Sequence, residues 1–211
     1  MVLAQPKIGT AVFAAAAVIA AFALIATPDA RGGLLSTGKA SVCETQASQP
    51  FAPWGDRANY VLIPGGSFES GTTQWSLSGG ATTFWGNEPY YVHGAQDGRS
   101  LVLPPGSSAT TPSMCFAIGD WHARFFAVNN GVKSSRLKVT VQVRSLLGVL
   151  SILDGGTVAN SGVWEPSPRI QLLLSNVTSL LGTKAVSFRF APTGLGLWRI
   201  DDVYLDPFKS T

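Results

Sequence analysis

Three carboxylates stand out by their setting. Glu69 lies in Ile63-Pro-Gly-Gly-Ser-Phe-Glu-Ser-Gly71, among glycines after an apolar run, and Asp201 and Asp202 are adjacent in the apolar, aromatic segment Trp198-Arg-Ile-Asp-Asp-Val-Tyr-Leu205. Read from the residues, Glu69 caps a turn, and the aspartate pair bonds to backbone and to nearby Arg199. Brought together without a cation, three such groups would repel one another and raise a pKa.

Aromatic rings form the second group able to do chemistry. Trp75 and Trp198 sit inside apolar strand patterns and belong to a core. Trp85, Tyr90, Tyr91, Trp121 and Trp164 lie beside turn residues or polar neighbours, where a ring costs solubility unless it is used or covered. Sugar rings stack their C–H faces on such side chains, so Trp85, Tyr91, Trp121 and Trp164 are candidate ligand contacts. Arg136, Gln142 and Arg144 on one face of a strand could add hydrogen-bond donors along a groove; otherwise they form a solvated row. Catalytic motifs are missing: there is no G-x-S-x-G, no H-E-x-x-H and no P-loop. Two suitably spaced carboxylates would be enough for a glycosidase, and Glu88, Asp120 and Glu165 are the groups left over for that role. The two histidines, His93 and His122, show no ligand-like spacing to each other.

The elements that must position these groups read as strands. Turn-forming clusters recur about every ten residues: Pro64-Gly-Gly66, Gly79-Gly80, Gly86-Asn87, Gly98, Pro104-Pro-Gly106, Asn129-Asn-Gly131, Asp154-Gly-Gly156 and Pro192-Thr-Gly194. Short segments between regular turns indicate an antiparallel sandwich or barrel. The 10- to 15-residue helical patterns of a parallel α/β fold are absent. Arg136–Arg144 alternates strictly, with Leu137, Val139, Val141 and Val143 on one face and charged or polar residues on the other. Such a strand has one face in a core and one in water. Lys184–Phe190 alternates similarly. Further strands are expected at 60–63, 74–78, 90–93, 100–103, 113–116, 122–128, 147–153 and 195–205. Ile170, Leu173, Val177, Leu180 and Leu181 have helical spacing, but Pro168 and Gly182 confine them to a strand running into a short helical turn.

The chain has 211 residues and a net charge of +3. Residues 1–30 carry a signal-peptide pattern: Lys7, then an apolar run from Ala11 to Ala26, then Thr27-Pro-Asp-Ala30. The run is shorter than the roughly 20 residues a spanning helix needs, and retention as an N-terminal anchor is the alternative. Either way the body is expected to be secreted or held at the cell envelope, with membrane contact only through that segment. Residues 31–50 read as a linker and 51–208 as one domain of ordinary size. Cys43 and Cys115, in an oxidising compartment, most simply form one structural disulfide. Lysines and arginines are scattered, which excludes a nucleic-acid footprint.

The two end segments resemble the opening and closing strands of jelly-roll carbohydrate-binding modules of the galactose-binding-like group. More broadly, Pro53-Trp-Gly-Asp56 through Pro207 resembles a family of exported bacterial proteins of uncharacterised activity. That likeness rests on Ser67-Phe-Glu69, Gly86-Asn-Glu-Pro89, the segment ending Ser-Met-Cys115, and Ile200-Asp-Asp-Val203. The resemblance implies an all-β, antiparallel jelly-roll β-sandwich without catalytic activity. It also implies a structural calcium ion shared by Glu69, Asp201 and Asp202 with backbone carbonyls, since calcium takes six to eight oxygen ligands. Pro64-Gly65 stands where that motif often has Asn before Gly, so one ligand of the set is altered. The expected function is a binding module for a glycan or cell-surface polymer. The alternatives are a structural or adhesive protein that binds another protein, and a small glycoside hydrolase.

Overall fold

The computed structural model describes residues 47–114, 122–130, 132–145, 148, 150–159, 162–171 and 183–206. The signal segment 1–30, Cys43, Cys115, Asp120, Trp121 and the helically spaced stretch after Gln171 lie outside the described residues. Among those described, the only helical element is a 3-10 turn at Ala52–Trp54.

Twelve strands follow: β1 (Val61–Leu62), β2 (Ser76–Ser78), β3 (Thr82–Trp85), β4 (Arg99–Leu103), β5 (Ser108–Thr110), β6 (His122–Asn130), β7 (Arg136–Ser145), β8 (Leu150–Val158), β9 (Glu165–Pro166), β10 (Ile170–Gln171), β11 (Thr183–Thr193) and β12 (Leu197–Asp206). They form two antiparallel sheets. The larger has the order β10-β6-β12-β4-β3, with β1 added beside β12 and β9 beside β6; the smaller has the order β2-β5-β11-β7-β8. The chain passes repeatedly from one sheet to the other, which makes a jelly-roll sandwich, as the turn spacing and end motifs led us to expect.

The period-two pattern of β7 explains the core. Leu137, Val139, Val141 and Val143 point inward, and so do Val186, Phe188 and Phe190 of β11, paired with β7 along its length. Across the sandwich they meet Leu101, Leu103, Phe125, Trp198 and Ile200 of the larger sheet in one apolar cluster. Phe125 and Phe190 touch edge-to-face with ring centres 5.0 Å apart. Trp75 and Trp198 are buried there as expected, and the Trp198 indole N–H donates to Ser135 Oγ at 2.9 Å.

Two local expectations need correction. Asp154-Gly-Gly156 is not a turn but a β-bulge inside β8: Val139 pairs with Gly156 and Thr140 with Asp154, leaving Gly155 unpaired. A Cβ on Gly155 would lie 3.0 Å from the Val139 carbonyl oxygen, so only glycine fits there easily. Residues 90–93 are also not a strand. Their N–H groups go to carboxylates instead of a neighbouring strand: Tyr90 and Val92 donate to Glu88, and His93 donates to Asp202.

The outer face of the larger sheet is covered by a second, smaller cluster. Phe51 packs on Tyr60, Phe126 and Tyr204 with ring centres 5.0, 5.4 and 5.7 Å away. Trp54 closes over Phe126 and reaches Tyr90, at 5.1 and 4.8 Å. The segment before β1 and the β3–β4 connection together form this cover, and they carry most of the polar groups described next.

Candidate functional site

Joining of the two ends positions the acidic residues. β1 pairs with β12, Val61 opposite Leu205 and Leu62 opposite Tyr204. Past the end of β1, Ile63 N–H donates to the Val203 carbonyl at 2.9 Å and Val203 N–H donates to the Gly66 carbonyl at 3.0 Å. Gly66 is required by this closeness: a Cβ there would stand 2.7 Å from the Val203 carbonyl oxygen. Opposite, β12 bulges over β6. Asp201 pairs with Phe126 and Tyr204 with Arg124, so two β12 residues face one on β6, and Asp202 takes the left-handed conformation with φ of 48°. The bulge lets both adjacent aspartates reach the β3–β4 connection.

Each carboxylate then finds different partners. Glu69 Oε1 accepts the backbone N–H groups of Gly98 and Arg99 at 3.0 and 2.7 Å. Asp201 accepts from Glu88 N at 3.3 Å and from Asp202 N at 2.9 Å. Asp202 Oδ2 accepts from His93 N at 3.0 Å, while its buried Oδ1 has no hydrogen-bond partner. Glu88, fully buried, accepts from the N–H groups of Tyr90 and Val92. Burial, and then the neighbouring Asp202 charge, push the Asp201 carboxyl up to about 9. Burial followed by Glu88 pushes Asp202 up to about 7, against a favourable contribution from His93.

Glu69, Asp201 and Asp202, expected to share a calcium ion, each take separate backbone partners. Backbone N–H groups reach one Glu69 oxygen and both Asp201 oxygens. Arg199, expected to bond to the aspartate pair, lies within electrostatic reach of Asp201 but spends its hydrogen bonds on the loop, donating to Ser100 Oγ and to the carbonyls of Trp85 and Gly86. The grouping with ligand geometry is different. His93, Asp97 and Asp202 bring potential ligand atoms within 4.8 Å of one another, and His93 Nδ1 lies 2.7 Å from Asp97 Oδ2. Sequence reading missed this group because it compared the two histidines with each other; the signal was His93-x-x-x-Asp97.

A second polar centre pins the cover at its other end. Asp56 accepts from Tyr60 OH and Arg124 at 2.7 Å each, from Arg169 at 2.6 and 3.1 Å, and from Ala58 N at 3.2 Å. Tyr60 OH also lies 2.7 Å from His122 Nε2. Burial by itself would raise the Asp56 carboxyl, but the bonds from Arg169, Tyr60, Arg124 and Ala58 outweigh it and hold the group well below the usual carboxylate range. Burial and the Asp56 bond raise the Tyr60 phenol above its ordinary value. No single residue here carried a motif, so only the contacts reveal the network.

The candidate ligand residues fall in two places. Trp85, at the end of edge strand β3, is 66% exposed, and Tyr91 in the connection after it is 51% exposed. Phe84 and Tyr90 are exposed too, at 60% and 45%, so every exposed large aromatic side chain among the described residues lies within Phe84–Tyr91. Arg99 sits 4.4 Å from the Trp85 ring centre and Arg199 5.7 Å from that of Trp164. Tyr90 OH donates to the Trp164 carbonyl at 3.0 Å. Trp85 and Trp164 are thereby linked through Arg199. Arg136, Gln142 and Arg144 lie on β7 in the other sheet. There Arg136 donates to the Lys133 and Ser135 carbonyls, Gln142 Oε1 accepts from Ser187 at 3.4 Å, and Arg144 donates to the Gly148 carbonyl.

No protein-family model matches the sequence, and no curated protein does. Solved structures of similar shape include a family 61 carbohydrate-binding module in complex with β-1,4-galactotriose. It has 17% identity and a TM-score of 0.45, over 71% of this chain and 98% of that one. A family 22 xylan-binding domain from Paenibacillus barcinonensis has 18% identity and a TM-score of 0.46, over 69% and 93%. An enzymatically active tailspike domain of bacteriophage CBA120 has 13% identity and a TM-score of 0.48, over 70% and 21%. The jelly-roll architecture is established by the strand pairing itself, and similar shape does not transfer a ligand.

Proposed function

We propose that this domain is an exported, non-catalytic binding module whose ligand is a glycan, held on the Phe84–Tyr91 stretch. The observation that carries the reading is the confinement of the exposed aromatic rings to those eight residues, beside Arg99 and Arg199. Exposed rings scattered singly need no explanation, whereas four of them on the end of an edge strand and the connection leaving it offer a ligand several rings on one short segment. A ring with guanidinium groups alongside offers what a sugar takes: a flat apolar face for C–H groups and donors for hydroxyls. Glu88, one of the carboxylates left over for a glycosidase, argues for binding over turnover, because it is fully buried with both oxygens bonded to backbone N–H groups.

The test is a glycan array followed by calorimetry on any oligosaccharide retained. Replacing Trp85 and Tyr91 with Ala should weaken binding at least tenfold, about 1.4 kcal/mol, while the melting temperature stays within a few degrees. Binding that survives the double replacement places the ligand elsewhere. One observation favours a protein-binding role instead: Leu150 and Ile152 are exposed on β8, the edge strand of the smaller sheet. Unpaired edges accept added strands. A stable partner captured through β8, with no glycan retained, would support that reading.

A further inference from the structure

The β3–β4 connection approaches β12 at one point where its chemistry remains incomplete. His93 donates its backbone N–H to Asp202 Oδ2, and four residues later Asp97 closes a turn through its N–H to the Gly94 carbonyl at 3.0 Å. The turn brings the Asp97 carboxylate to 2.7 Å from His93 Nδ1. From the opposite side, the β12 bulge delivers Asp202, whose side chain is fully buried and whose Oδ1 has no partner. A buried acceptor without a partner is costly unless something fills the place. The access is suitable as well: the His93 side chain is 40% exposed while that of Asp97 is 9% exposed, so the group opens to solvent on the imidazole side.

We propose that His93, Asp97 and Asp202 bind one divalent metal ion of the zinc class. The ligand-capable atoms lie within 4.8 Å of one another, close enough to converge on a single ion. One imidazole nitrogen with two carboxylate oxygens is a donor set that suits zinc and its neighbours, with water completing the shell. Calcium would need six to eight oxygens, whereas this group offers carboxylate oxygens from two side chains and a nitrogen from the third. The ion would tie the aromatic-bearing connection to the last strand. This inference stands apart from the glycan reading, since it concerns the inner side of the connection and its test uses no sugar.

The experiment is calorimetric titration of the full, chelator-treated chain with zinc chloride and, separately, calcium chloride, together with melting curves. Expected are one equivalent of zinc and a rise in melting temperature of roughly 5 °C at a hundredfold excess over Kd. His93→Ala and Asp97→Asn should each weaken zinc at least tenfold. Asp202→Asn risks misfolding because the side chain is buried, so the half-exposed His93 carries the test. Three results overturn the proposal: no zinc binding, zinc binding unchanged by either substitution, or calcium bound more tightly than zinc and indifferent to His93→Ala.

Discussion

Removing the Asp56 side chain should destabilise the domain by about 3 kcal/mol, a magnitude that follows from the exposure of its partners. Asp56 is buried and accepts from two guanidinium groups and the Tyr60 phenol. Taking away one member of a buried ion pair costs about 3–5 kcal/mol, because the other is left charged and unpaired. The Arg124 side chain is 11% exposed and meets that condition; Arg169 is 48% exposed, so water screens its share to below about 1 kcal/mol. The low end of the range therefore applies. In a domain of this size it corresponds to a fall in melting temperature of roughly 6–12 °C. Asp56→Ala is the perturbation, and thermal unfolding followed by near-ultraviolet circular dichroism is the assay. The pH dependence supplies an independent check. The folded Asp56 carboxyl is held below its ordinary value, so its contribution is present above the usual carboxylate range. It is lost as pH falls through that range toward the folded value. The gap between wild type and Asp56→Ala should stay flat from about pH 7 to about pH 5 and shrink by about pH 2. A shift below roughly 2 °C at neutral pH, or a gap unchanged in acid, would refute the reasoning.

Gly66→Ala places a Cβ 2.7 Å from the Val203 carbonyl oxygen and should cost about 1–3 kcal/mol by forcing the first and last strands apart, read as a lower denaturant midpoint. An unaltered midpoint would mean that closure is looser than the backbone bonds indicate. Arg199→Met removes the donors to Ser100 Oγ and to the Trp85 and Gly86 carbonyls, while keeping much of the side chain's apolar bulk. Faster amide exchange should follow between Gly86 and Gly98, with β7 and β11 unaffected. Uniformly faster exchange would show that the arginine supports the whole fold and not this connection alone.

Much of the sandwich was legible because strands state their faces in the sequence. Leu137, Val139, Val141 and Val143 alternate with polar residues, and that period survives any tertiary context that buries one side of the sheet. The proximity of the two ends was implied by the resemblance of the end segments to jelly-roll modules, and the closeness of Gly66 to Val203 shows how the backbones meet. The turn pattern misled at Asp154-Gly-Gly156 because glycines serve bulges as well as turns, and only the register of β7 against β8 separates the two. Residues 90–93 looked like a strand because their side chains are large; their N–H groups were claimed by Glu88 and Asp202, and Asp202 is more than a hundred residues distant.

The sequence by itself determined where the core faces lie and that Trp75 and Trp198 are buried, because those properties depend on local period and composition. Only the tertiary structure decided which partner each carboxylate takes. Hydrogen-bond geometry acts over about 3 Å, and chain order does not say which N–H will arrive there. Asp202 therefore meets His93 and Asp97, Glu69 meets Gly98 and Arg99, and Asp56 collects Tyr60, Arg124 and Arg169.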